Sequence, residues 1–256
     1  MVESVRRALL LLETLNSFGT TSVHQLHEVS KLPKSTIVRL LATLCKEGYV
    51  AKSRLQHGYQ LTSRVRSLSS GYEVGNVVID AAQPLAIEFT QTHSWPVAIA
   101  TLDNGVMISR FSTTPQSPMS PHDGRINMRL NLLTRALGRA YLAACNDDER
   151  ALILRMLRQS SHPEDKGAHN VGSVNAMLNQ VRKVGFAIRP AYVEPKFSST
   201  IAAPILLNGR VVASVGMTYF RSAIPKAKAT SHYGPLVVRL SKTIGERAAA
   251  LDAKSA

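Results

Sequence analysis

Cysteine is nearly missing from this chain: Cys45 and Cys145 are the only two among 256 residues, with no CxxC and no histidine at metal-ligand spacing beside either. A disulfide framework and a thiolate metal site are thereby excluded, which fits a reducing cytoplasm and gives no cofactor or metal to expect. Acidic residues are few, 17 Asp and Glu against 31 Lys and Arg, a formal net charge of +14. Such an excess suits a polyanionic partner or an anionic effector. No run of about 18 apolar residues occurs, so a membrane span is not expected. The opening "VRRALLLLETL" is cut by Glu13 and lacks a following small-residue cleavage site, so it reads as an amphipathic helix rather than a leader. The sequence motifs of the common catalytic sites are missing too: no Walker-type loop, no GxGxxG, no HExxH and no Gly-x-Ser-x-Gly elbow. The eight histidines are scattered without a nucleophile or ligand companion.

What is present is enough apolar matter, 45% of residues, to fill the cores of about two domains. The first 72 residues hold ten Lys and Arg against four acids. Their periodicity predicts a helix over Ser4 to Ser17, burying Val5, Ala8, Leu9, Leu12 and Leu15 and stopped by Gly19. Ser22 with Gln25 spells a capping box for a short second helix that buries Val23, Leu26 and Val29. Pro33 suits the first position of a third helix ended by Gly48. In it Ile37, Leu40, Leu41 and Leu44 recur at i, i+3, i+4 and i+7 and face a core. The opposite arc carries Ser35, Thr36, Arg39, Thr43 and Lys46 and no acid. Short helix, tight turn and longer helix is the helix-turn-helix arrangement, whose second helix offers its N-terminal residues to the DNA major groove. "YVAKSRLQHGYQLT" then predicts a hairpin wing, Tyr49 to Lys52 and Tyr59 to Thr62, with Lys52 and Arg54 placed to meet phosphates. A protein-binding module or a merely solvated face is the competing reading. Against the latter, an ordinary solvated helix face pairs Glu with Lys at i,i+4, and this one mixes hydroxyls with cations.

Through "VRRALLLLETL", "LPKSTIVRLLATLCKEGYV", "GYQLT", "LLTRALGRAYLA", "VRKVGFAI" and "STIAAPILLNGRVVASVGMTY", in that order from about residue 3 to 250, the chain resembles the IclR family of bacterial transcription regulators. Within that family, "SWPVAIATLD" and "LNLLTRALG" are similar to activators of aromatic-acid catabolism, those responding to 3-(3-hydroxyphenyl)propionate among them. The resemblance implies an α+β protein with a winged helix-turn-helix over residues 1–62, a linker helix over 63–72, and a C-terminal α/β effector domain over 73–256. That domain would be of GAF/profilin type and built on an antiparallel sheet. It implies homodimers or homotetramers on double-stranded operator DNA. Arg7, Ser35, Thr36 and Arg39 match the family's DNA-facing positions. Arg39 suits guanine O6 and N7, while Lys34, Lys52 and Arg54, with Ser22 and Thr43, complete the expected DNA set.

In the second domain Asn104-Gly105 and Asn208-Gly209, each between β-rich runs, predict tight hairpins with positive φ. Helices are predicted from about Glu73 to Thr90, Arg135 to Cys145, Asp147 to Arg158, Val174 to Val184 with Ser173 at its head, and Pro235 to Leu251. "STTPQSPMSPHDGRINMR", residues 112–129, reads as a long loop. The family likeness points to an effector cleft between the start of the "LLTRALG" helix and the second hairpin, covered by the loop from Arg189 to Ser199. A helix start favours a carboxylate, and Arg135 can take one bidentately. Many relatives carry Thr or Ser at that position, so Arg135 has solvent or a dimer partner as alternative destinations. Pro190 stands where some relatives place an acid, which argues against their hydroxy-acid or keto-acid recognition. Ala136, Gly138, Thr200, Gly216 and Thr218 match the pocket, Thr134 is counted with them, and Met119, Leu132, Leu133 and Phe197 are candidates for an apolar wall; ordinary packing competes for all of them. The expectation is a ligand-responsive regulator, not an enzyme, controlling catabolism of an aromatic carboxylic acid. The alternatives are an α/β small-molecule enzyme with an appended nucleic-acid-binding domain, or a DNA binder whose second domain only oligomerises.

Overall fold

The computed structural model describes residues 2–53, 58–69, 77–120 and 126–255. The chain divides into two compact units, Met1–Val74 and Gly75–Ala256.

In the first unit, α1 (Glu3–Phe18), α2 (Val23–Ser30) and α3 (Lys34–Lys46) enclose a small core, followed by the hairpin β1 (Val50–Lys52) and β2 (Tyr59–Leu61). Leu11, Leu15, Leu26, Ile37 and Leu41 lie at or near zero exposure, and each such burial stabilises by roughly 2 kcal/mol. The sequence reading of α3 matches, with Ile37, Leu41 and Leu44 buried and Leu40 half-buried. For α1 it is corrected. Val5 and Leu9 are more than half exposed, and Leu11, Thr14 and Leu15 take the inner face. The four consecutive leucines 9–12 present an apolar side chain in every direction, so periodicity there does not single out one stripe. Val29 is likewise 48% exposed. The capping box of α2 is formed, with Ser22 accepting from the Gln25 N–H at 3.2 Å and Gln25 accepting from the Ser22 N–H at 3.0 Å. Pro33 is the N-cap of α3 rather than its first helical residue. Thr21 and Tyr59 exchange backbone hydrogen bonds, both 2.9 Å, which ties the hairpin to the segment before α2. The expected linker helix is a 3-10 turn over Ser63–Ser69, and residues 70–72 lie outside the described residues.

The second unit begins with α4 (Val77–His93); the predicted start of this helix, 73–76, lies outside the described residues. Strands β3 (Val97–Asp103), β4 (Val106–Ser112), β5 (Arg129–Leu130), β6 (Ala187–Ile188), β7 (Ser198–Leu207) and β8 (Arg210–Phe220) form one antiparallel sheet in the order β5-β4-β3-β8-β7-β6. Between β5 and β6 come α5 (Ala136–Ala144), α6 (Asp147–Gln159) and α7 (Val171–Val184). A short α8 (Lys226–Lys228) and a π-turn lead into α9 (Gly234–Ser255). Alternation along the strands splits the core between two faces. Ile201, Ala203 and Ile205 join a cluster with Ala81, Ala86 and Phe89 of α4 and Val237 and Ile244 of α9. Ala202 points instead into a cluster with Leu137 and Ala140 of α5, Ile153 of α6 and Leu178 of α7. The sheet is therefore covered by helices on both sides, the observed α+β architecture.

Both Asn-Gly turns have the predicted backbone, with φ 48° and 79° at Asn104-Gly105 and 51° and 78° at Asn208-Gly209. Helices α4 and α9 run past their predicted ends, to His93 and Ser255, and two further readings differ. Helix α7 starts at Val171, because Asn170 rather than Ser173 is the cap and accepts the Ser173 N–H at 3.0 Å. The 112–129 stretch is not loop throughout: Thr114–Gln116 makes a 3-10 turn, and Arg129 pairs with Ile108 as part of β5. Among the described residues no helix is long and apolar enough to cross a membrane.

Candidate functional site

Two candidate sites emerge, one in each unit. In the first, α3 is held by its buried leucines so that Lys34, Ser35, Arg39, Thr43 and Lys46 are exposed and Thr36 is half-buried. None of Lys34, Arg39, Lys46 or Lys52 is in an ion pair with a described residue. The hydroxyls are not all equivalent. Thr43 donates to the Arg39 carbonyl at 3.2 Å, which leaves only its acceptor capacity. Ser22 uses its oxygen as the α2 cap and keeps its proton to give. Lys52 is exposed on β1, paired with Tyr59; Arg54 and His57 lie outside the described residues. Arg7 differs from the rest because its Nε donates to Glu3 at 2.9 Å. Arg6 and then Arg7 hold the Glu3 carboxyl down to about 2, far below its ordinary value.

The second site is a cavity of about 590 Å³ between β3, β4, β5, the start of α5 and the segment entering β7. Asn131, between the lining residues Leu130 and Arg135, fixes the local turn: its side-chain oxygen accepts the N–H groups of Leu133 and Thr134 at 2.8 and 3.0 Å, while its amide donates to Asp165 at 2.5 Å. That knot turns the chain into α5, whose N-cap, Arg135, provides no side-chain cap, so the first-turn donors beside Ala136 and Leu137 stay available. Arg135 donates to the Glu194 carbonyl at 2.6 Å and approaches Glu164 at 3.6 Å. Thr200 and Thr218 face each other across β7 and β8, their hydroxyls 3.0 Å apart. Arg129 and Arg189 also line the cavity, with apolar surface from Pro96, Leu130 and Leu137.

Arg189 is 3% exposed and hydrogen-bonds the carbonyls of Glu194 at 2.8 Å, Pro195 at 3.0 Å and Ser198 at 2.5 Å. Burial, and after it the neighbouring guanidiniums of Arg135 and Arg221, bring its pKa down to about 10.

Of the residues expected from sequence, Arg135, Ala136, Thr200 and Thr218 line this cavity together. The others do not line it. Leu133 packs in the α5 cluster, and Thr134 bonds back to Asn131 at 3.2 Å. Gly138 serves close packing, since a Cβ there would sit 2.5 Å from the Asn131 oxygen and the Leu132 Cα. At Gly216 a Cβ would come within 3.2 Å of Ala202 and of the Ile201 carbonyl. Met119 and Phe197 are 40% and 55% exposed and outside the lining. Sequence reasoning missed Ser109, Ser112, Arg129 and Arg189. Only the pairing of β4 with β5 brings Arg129 alongside Ser109, and no local pattern announces it.

Cys145 is 2% exposed, and burial raises its thiol to about 11, so it is a packed side chain rather than a nucleophile. Among the described residues no three His, Cys, Asp or Glu are placed to hold a metal.

Comparison with known proteins agrees with the two-unit description. Residues 4–54 match the IclR helix-turn-helix domain. Over the whole chain the fold is that of solved IclR structures. IclR of Thermotoga maritima superposes with a TM-score of 0.71 at 18% identity, covering 97% of this chain and 100% of that one. An IclR homologue from Microbacterium hydrocarbonoxydans, complexed with 4-hydroxybenzoate, gives 0.69 at 19%, covering 96% and 99%. An IclR family transcriptional regulator from Brucella abortus gives 0.64 at 22%, covering 96% and 92%.

Proposed function

We propose that this chain is an IclR-type, ligand-responsive transcription regulator of the cytoplasm that controls catabolism of an aromatic carboxylic acid. The observation that carries the reading is the pairing of an unneutralised cationic, hydroxylated face on a matched helix-turn-helix with a separate cavity lined by three guanidiniums. The solved IclR homologue holding 4-hydroxybenzoate adds support for the ligand class.

On the DNA side Arg39 forks onto a guanine edge, Ser35 and Thr36 meet base edges or phosphate, and Lys34, Lys52 and Arg54 bind the backbone. Ser22, Thr43 and Arg7 take supporting phosphate contacts, Arg7 after exchanging Glu3 for DNA. A homodimer or homotetramer reads a pseudo-palindromic operator. In the cavity the carboxylate sits between the α5 start and Arg135, with Arg129 and Arg189 adding positive field; the ring lies on Pro96, Leu130 and Leu137, and a ring hydroxyl meets the Thr200–Thr218 pair. A volume of about 590 Å³ is within the range of roughly 300 to 1,000 Å³ usual for small-molecule sites. Regulation requires that the ligand favour one arrangement of the DNA heads, since equal affinity for both shifts nothing.

The test is fluorescence anisotropy on fragments of the promoter next to its own gene, with and without 3-(3-hydroxyphenyl)propionate or 4-hydroxybenzoate, beside thermal-shift and turnover assays with the same acids. Salt-sensitive, sequence-selective binding that an acid modulates without being consumed is the expected result. Turnover would favour an enzyme. DNA binding indifferent to every acid, with no thermal shift, would leave the second unit an oligomerisation module.

A further inference from the structure

On the other side of Arg189 lies a smaller cavity of about 290 Å³, lined by Arg139, Arg189, Arg221, Lys226, Tyr219 and Ile224 among others, with no acid in its wall. Among the described residues the arginines there are restrained by uncharged oxygens alone, backbone carbonyls and the Ser198 hydroxyl, which accepts from Arg189 at 2.7 Å. Arg139 donates to Ile188 at 3.0 Å and Arg221 to Ser198 at 2.8 Å, while Arg189 spans Glu194, Pro195 and Ser198. None of these arginines forms an ion pair with a described residue. The nearby Glu194 carboxylate is taken by Lys196, through its backbone N–H at 3.0 Å and its ammonium at 3.6 Å. Two buried donors have no acceptor at all, Arg139 Nε and Arg189 Nε. Buried cations without a counter-charge are rare, and each unsatisfied buried donor calls for a partner.

We infer that this second cavity is a binding site for a phosphate-type oxyanion, sharing only Arg189 with the aromatic-acid cavity and not resting on that reading. The choice of phosphate follows from valence. Three guanidiniums and an ammonium offer more donors than the two oxygens and single charge of a monocarboxylate can take, whereas phosphate brings about two charges and at least three acceptor oxygens. The cavity is about the volume of ten water molecules, which suits inorganic phosphate or a small phosphomonoester. Burial first, and then the nearby charges of Arg135 and Arg221, lower the pKa of Arg189, and a bound anion would offset both. Lys226 is exposed and provides the open edge through which the anion enters. Because every acceptor of Arg189 and Arg221 lies between Pro190 and Ser198 or at Arg189 itself, occupation would brace the strap that enters β7.

The experiment is thermal unfolding of the full chain followed by Trp95, the single tryptophan, which is buried in the second unit. Sodium phosphate, glycerol 3-phosphate, acetate and chloride are titrated at matched ionic strength. A saturable rise with phosphate or glycerol 3-phosphate, well above that with acetate or chloride, is expected; a response to glycerol 3-phosphate alone names a phosphomonoester as the source. Lys226→Glu should raise the half-saturating concentration at least tenfold. Arg39→Ala, on the DNA-facing helix, and Arg129→Ala, which lines only the large cavity, should leave it unchanged. Equal rises for all four salts, or a response abolished by either control variant and kept in Lys226→Glu, would overturn the site.

Discussion

Lys34, Arg39 and Lys52 in the first unit stand in solvent with no ion pair to a described residue, while Arg189 in the second is almost wholly enclosed and bound to three carbonyls. Both placements leave positive charge uncompensated, but they cost different things. An exposed cation keeps its hydration and contributes a long-range, salt-screened attraction to a polyanion. An enclosed one has lost water, depends on fixed dipoles, and answers only to what fits against it. Under the proposed function the first unit meets a large anion from outside and the second selects a small one within.

That contrast also explains how much could be read from the amino-acid order. The α3 face was legible because a helix places Ile37, Leu41 and Leu44 opposite Arg39 by local geometry, and the Asn-Gly turns because their backbone demand is two residues long. The cavity was half legible. Arg135, Ala136, Thr200 and Thr218 lie on predicted elements, but Arg129, Ser109 and Arg189 come together through strand pairing and a strap closure that no periodicity encodes. For Gly138 the sequence left pocket and packing both open, and the close approach of the Asn131–Leu132 backbone, which only the folded chain reveals, is what supports packing.

The largest effect expected is on that packing. Gly138→Ala drives a Cβ to 2.5 Å from main-chain atoms, which cannot rotate away, and should destabilise the second unit by about 3 kcal/mol. Trp95-monitored denaturation checks it; an unchanged midpoint would mean that the α5 start is loose and the turn before it not fixed as described. Next comes Arg39→Ala, expected to cost roughly 1 to 3 kcal/mol on operator while barely altering affinity for random duplex. Equal losses on both would make Arg39 a phosphate contact and remove its reading role. Smaller again, Lys52→Ala should weaken all duplexes alike and flatten the log affinity against log salt plot by about one unit. A sequence-dependent loss would place the hairpin in a groove instead.

The smallest effect separates the units by pH. His93, packed against Phe89 with ring centroids 4.4 Å apart, has its pKa lowered from 6.5, first by burial and then by His232. The unfolded chain then binds more protons than the folded one just below pH 6.5, so the second unit's stability is complete above that value and declines as pH falls through the window between the ordinary and lowered pKa. In the first unit the shifted acid is Glu3, lowered from 4.5 to about 2 by Arg6 and Arg7, and its contribution is lost only as pH falls through that far more acidic range. Between pH 8 and 5.5, therefore, Trp95-monitored stability should fall. Substituting His93→Gln should remove part of the Trp95 response. If the wild-type unfolding midpoint is flat across that interval, or if His93→Gln keeps the full decline, the titrating group lies elsewhere in the second unit and the burial of His93 is not what the acid senses.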